Sequence, residues 1–265
     1  MKHVFVTCLA ASLLVACTAQ AAPTPTPTDL PSITPSQQPS ATFAATPSPT
    51  ETQIPVSSLC SPLADHSFRA LKGYISQGFT PPQGTTDWDG GHHGLDIAYY
   101  QRNDEGGVGG HINGTPIQSV FDGYVAAMGF AETYGNYLII ETPSSQLPVD
   151  IAGLFNVGEG ESIYLLYAHM QEFAPFVLSE PIDCGQEIGR VGNTGDEYFI
   201  VEPHLHFETR IGASGIRLLE MNYYDTQATE EGKAEYRRWR NSETFRLVDP
   251  MLLLDYGVEH EDGNG

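Results

Sequence analysis

A mainly antiparallel β domain with a short helical insert near its C-terminus is what residues 59–265 of this 265-residue chain predict. Three features carry that expectation. Short runs alternate apolar and polar residues with period two, as in PHLHFETRIG (203–212), which sends successive side chains to opposite faces of a strand. Glycines punctuate the runs at spacings that suit tight turns, as at 185, 189, 192 and 195. Only Ala228 to Arg240 (ATEEGKAEYRRWR) reads as a helix of some length.

The elements follow in chain order. Lys2 and His3 precede an apolar run, Val4 to Val15, too short for a stable membrane span and suited to a signal segment. It ends in Leu14-Val15-Ala16-Cys17, which is similar to a bacterial lipobox. Residues 1–17 are thus expected to be a lipoprotein signal peptide with Cys17 lipidated; a plain secretory signal is the alternative. Residues 18–58 are rich in Thr, Pro, Ser and Ala and cannot bury enough apolar surface to offset chain entropy. In polyproline II they form a tether on the order of 100 Å long. Within the domain, TPIQSVFDGYVAAMGF (115–130) predicts a strand, a turn at Asp122-Gly123 and a strand from Tyr124. GNYLIIET and SIYLLYAHM predict two more, and Met251 to Asp255 a helical turn after Pro250.

The net charge of −21 excludes nucleic acid and anionic headgroups as charge-driven partners. Of the four cysteines, Cys8 leaves with the signal and Cys17 takes the lipid. Cys60 and Cys184 remain, in an oxidising compartment, as a disulfide pair; two free thiols are the alternative.

The chemistry sits in HHGLDIA and HLHF. His204 and His206 are two apart on a strand, so both imidazoles face one side. His92 and Asp96, four apart, share a face if their stretch is extended. Two nitrogens and a carboxylate oxygen converging from two strands make a zinc site with one open position, the catalytic pattern. His169, at the end of YLLYAH, suits a catalytic role. His66, His93, His111 and His260 are read as outside the site. Glu208 shares the face of His204 and His206 and is read as an edge carboxylate in preference to an orienter of a ligand.

These stretches, with GTPIQSVFDGYV, YGNYLIIET, CGQEIGRVGNTG and VDPMLLL, resemble the lysostaphin-type (LytM-type) zinc metallopeptidases, which cleave the peptide part of peptidoglycan. The resemblance implies two antiparallel sheets, in a duplicated-hybrid-motif-like fold, with the site in a groove on the larger. It implies one zinc ion per chain, held by His92, Asp96 and His206, and His169 and His204 as the catalytic pair. One histidine would act as general base and the other would donate to the developing oxyanion. It further implies peptidoglycan peptides as partners of a monomeric enzyme in the cell envelope, lipid-anchored to the membrane. Insertions at 101–113, 143–161 and 213–244 depart from the family's pattern and bear on substrate preference. A non-hydrolytic wall-binding or regulatory protein is the competing function, and the complete ligand set speaks against it.

Overall fold

The computed structural model describes residues 58–83, 90–102, 108–173, 175–195, 202–222, 228–241 and 243–261. The expected signal segment with Cys17, and residues 18–57 of the tether, lie outside the described residues.

The domain is mainly antiparallel β. Its described strands are β1 (Ile75–Gln77), β2 (Gly94–Ile97), β3 (Tyr100–Arg102), β4 (Val108–His111), β5 (Pro116–Gln118), β6 (Gly123–Ala131), β7 (Gly135–Pro143), β8 (Glu161–Phe173), β9 (Pro181–Ile182), β10 (Glu187–Val191), β11 (Leu205–Ala213) and β12 (Phe245–Val248). The described helices are α1 (Phe68–Lys72), α2 (Val149–Phe155), α3 (Glu230–Arg240) and α4 (Met251–Glu261). One sheet of ten strands follows the path β1-β2-β11-β8-β7-β6-β9, with β12 beside β11, and β10 bridging β8 and β5. β3 and β4 form a separate two-stranded sheet.

β8 occupies the middle of the path because SIYLLYAHM is apolar on both faces. Ile163, Leu165 and Tyr167 enter one core, and Tyr164, Leu166 and Ala168 enter a second. β11 is also buried on both faces, from Leu205 through Gly212, although its sequence alternates. Leu205, Phe207 and Ile211 join the first core. His206, Glu208 and Arg210 are buried on the other face, where the Trp239 ring of α3 lies 4.8 Å from the Arg210 guanidinium carbon.

The helical insert forms where its sequence predicts. Thr229 caps α3 by accepting from Gly232 N at 3.0 Å; Glu230 and Glu231 open the helix, and Arg237, Arg238 and Arg240 close it. Both ends therefore complement the helix dipole. Tyr236 and Trp239 form its buried face.

Helices are otherwise more extensive than the sequence suggests. The 143–161 insertion does lengthen a hairpin, since β7 and β8 pair, but it folds into a 3-10 turn (Ser144–Gln146) and α2. α2 is anchored by only two buried side chains, Ile151 and Phe155, too few to register as a periodic pattern. α4 runs to Glu261, well past the expected turn. Gly257 masks its pattern, and it is required there because a Cβ would lie 2.3 Å from Phe68 Cγ of α1.

The Asp122-Gly123 turn joins β5 to β6 without making a hairpin. β5 pairs with β10, and β6 pairs with β7 and β9. Asp122 instead accepts from Cys184 N at 2.7 Å, beside the Cys60–Cys184 disulfide. That disulfide joins residues 124 apart, with Cα atoms 5.7 Å from each other, and ties the start of the described domain to the β9–β10 turn.

Candidate metal centre

Strand pairing brings the residues of the two motifs together. β2 and β11 are antiparallel, with Asp96 directly opposite His206, so the two side chains leave the sheet on one face. Gly94 permits this approach: a Cβ there would lie 2.5 Å from the Phe207 carbonyl oxygen and 3.0 Å from the His206 ring. His92 precedes β2 and is fixed by paired backbone hydrogen bonds with Thr80, of 2.8 and 2.9 Å.

Three ligand atoms converge. His92 Nε2 lies 3.1 Å from Asp96 Oδ1 and 3.2 Å from His206 Nδ1, and His206 Nδ1 lies 2.8 Å from Asp96 Oδ1. Ligands ~2.0–2.1 Å from a tetrahedral ion are about 3.3 Å apart, so this spacing suits zinc with little adjustment. The donor set suits it too. His92 Nδ1 donates to the Gly78 carbonyl at 2.9 Å, and His206 Nε2 donates to Glu208 Oε1 at 3.2 Å. Each ring therefore turns its other nitrogen inward, the arrangement that metal-ligating histidines adopt. His92 and Asp96 keep 15% and 14% of their side chains exposed, which leaves the site reachable.

His169 and His204 stand beside the three. Their ring centroids are 4.6 Å apart, and His204 Nε2 is 3.7 Å from Asp96 Oδ1. His169 Nδ1 donates to the Thr194 carbonyl at 2.9 Å, and His204 Nδ1 donates to the Glu202 carbonyl at 2.8 Å. Both rings are thus left with Nε2 as the accepting nitrogen. His169 has φ of +58°, a conformation uncommon outside glycine, and its N–H donates to the Tyr134 carbonyl at 2.7 Å.

The electrostatics follow from burial and these contacts. Burial pushes His169 down to about 3, helped by His204 and His206. Burial also lowers His204. For His206 burial alone would lower the pKa, but hydrogen bonds to Asp96 and Glu208 raise it to about 9. Burial opposes ionisation of Asp96, yet the hydrogen bond from His206 and the close approach of His92 hold its carboxyl well below the usual range. Without metal, one proton on His206 Nδ1 serves the converging acceptors.

Glu208 is a correction to the sequence reading. It is no edge carboxylate: it is 0% exposed and accepts from four donors. Tyr134 Oη (2.8 Å) and His206 Nε2 (3.2 Å) meet Oε1, while Arg210 Nε (2.8 Å) and Trp239 Nε1 (3.2 Å) meet Oε2. The period-two spacing from His206 is visible in the sequence, but the cover by α3 is not.

The remaining histidines stay outside the cluster. His93 lies between Arg210 Nη2 (2.8 Å) and Arg240 Nη2 (3.2 Å). His66 packs against Tyr74 and Tyr99, His111 accepts from Asn113 N, and His260 stacks on Tyr256. Among the described residues, His92, Asp96 and His206 are the group of three with metal-ligand spacing.

Residues 91–218 match the sequence model of peptidase family M23. Two curated relatives, both DD-carboxypeptidase/endopeptidase Mpg, from Neisseria meningitidis serogroup B and Neisseria gonorrhoeae, are each 26% identical over 123 residues. That match covers 46% of this chain and 24% of each relative. Among solved structures, a zinc containing peptidase from Vibrio cholerae is similar at 25% identity and a TM-score of 0.32, over 51% of this chain and 32% of that one. The catalytic domain of lysostaphin from Staphylococcus simulans is similar at 20% identity and a TM-score of 0.39, over 72% of this chain and 99% of that one.

Proposed function

We propose, from the premise that residues 91–218 are a peptidase family M23 domain homologous to the LytM/lysostaphin-type peptidases, that this chain is a zinc-dependent endopeptidase acting on the peptide part of peptidoglycan. The observation that carries the reading is the convergence of His92 Nε2, Asp96 Oδ1 and His206 Nδ1 beside His169 and His204. The names of the Neisseria relatives support the substrate class.

His92, Asp96 and His206 would hold the zinc. When bound, zinc polarises a carbonyl and lowers the pKa of a water toward ~7. The two remaining histidines supply the proton chemistry. With Nδ1–H bonded to a carbonyl, each presents Nε2 as an acceptor. One takes a proton from the attacking water and passes it to the leaving amine nitrogen as the C–N bond breaks; the other, in the imidazolium form after taking a proton from solvent at Nε2, donates a hydrogen bond to the oxyanion. The carbonyls of Thr194 and Glu202 hold both rings in the required orientation.

On this reading the enzyme works in the cell envelope, as a monomer, with Cys17 lipidated and residues 18–58 as a tether. Muropeptides with glycine bridges and with direct D-alanine links to a diamino acid, incubated with the protein and weighed, test the activity. New masses corresponding to cleaved peptide bonds are expected. Zinc-loaded protein that cleaves neither class, but activates another wall hydrolase, would establish the regulatory function instead.

A further inference from the structure

We propose, resting on the metal-site reading above, that Glu208 is a positioning residue that fixes which nitrogen of His206 carries hydrogen, and that the helical insert holds it in that role through Trp239.

The donors around the carboxylate leave little freedom. Arg210 Nε and Trp239 Nε1 can only donate, and both meet Oε2. Tyr134 Oη and His206 Nε2 meet Oε1. An ionised carboxylate has acceptor sites for all four. Since Glu208 is 0% exposed, bulk water offers His206 Nε2 no alternative partner. The ring must then carry hydrogen on Nε2, which leaves Nδ1 free to ligate beside Asp96 and His92.

Trp239 lies on α3, inside the 213–244 insertion, and its indole also lies against the Arg210 guanidinium. The insert therefore reaches the metal site from behind, through the carboxylate, without supplying a ligand.

Glu208→Gln tests this with little change of shape. An amide satisfies Arg210 and Trp239 only by turning its oxygen toward them. Its NH2 group then faces His206 Nε2 and favours hydrogen on Nδ1, the wrong side for a ligand. A purely structural carboxylate would affect the melt but neither the tautomer nor the metal.

The measurements, on the full chain, are zinc affinity by chelator competition, thermal melts, and the His206 tautomer from imidazole 15N shifts. The shifts are read on metal-free protein at a pH high enough that the two ring nitrogens themselves report a neutral imidazole. E208Q should bind zinc roughly 10–100-fold more weakly, with hydrogen shifted to Nδ1. Trp239→Phe keeps an aromatic ring and loses one donor, and should weaken zinc several-fold. Unchanged affinity and tautomer in folded E208Q would overturn the proposal. If E208Q does not fold, W239F decides: unchanged affinity overturns the role of the insert and weakened affinity supports it. A wild-type chain that binds no zinc overturns the metal reading itself, which is a separate result.

Discussion

Asp96 and His206 face each other across the β2–β11 pairing, with Oδ1 2.8 Å from Nδ1. A metal ion must replace the proton between them. His92→Ala, Asp96→Ala and His206→Ala should therefore each lose most of the bound zinc, since two remaining ligands hold it poorly. Metal analysis after dialysis against a chelator is the check, and stoichiometric zinc in His206→Ala would point to another ligand set.

His169 and His204 stand beside the three converging ligand atoms without joining them. His169→Ala and His204→Ala should keep zinc while peptide release falls roughly 10²-fold or more each. The double variant should lose less than the product of the two, because both act on one transition state. Unimpaired release by zinc-loaded His204→Ala would remove it from the mechanism.

The metal-free domain should be most stable near neutral pH. His169 titrates at about 3 when folded, against an ordinary value of 6.5. Between those values the unfolded chain binds more protons, so stability falls as pH drops from 6.5 toward 3. His206 is raised to about 9 from the same ordinary value. Its contribution is fully present below 6.5 and is lost as pH rises through 9. Melts of chelated protein across this range give the profile, and His169→Ala should flatten its acid arm. An acid arm of the same slope in that variant would assign the loss to other groups.

The disulfide joins residues 124 apart. Its removal by Cys60→Ala and Cys184→Ala should destabilise the domain by roughly 2–5 kcal/mol, chiefly by freeing the unfolded chain. Denaturant unfolding measures the loss. Two titratable thiols in non-reduced wild-type protein would contradict the bond.

Part of this is legible in the sequence because strand geometry is local. His204 and His206 share a face through a spacing of two, and the cap and charges of α3 lie within its own stretch. The pairing of Cys60 with Cys184 is legible by elimination, without geometry. Glu208 is misread from sequence because an alternating strand normally has one wet face, and here α3 covers it. The Asp122-Gly123 turn can be located from its residues, but no local signal says that β5 takes β10 as its partner.

The sequence by itself determined the ligand types and which of them share a face, since side-chain direction along a strand alternates residue by residue. Only the tertiary structure decided that Asp96 lies opposite His206 and that Glu208, sealed beneath Trp239, turns His206 Nδ1 inward. Both depend on strand register and helix docking between segments far apart in the chain, which are set by the packing of the whole domain.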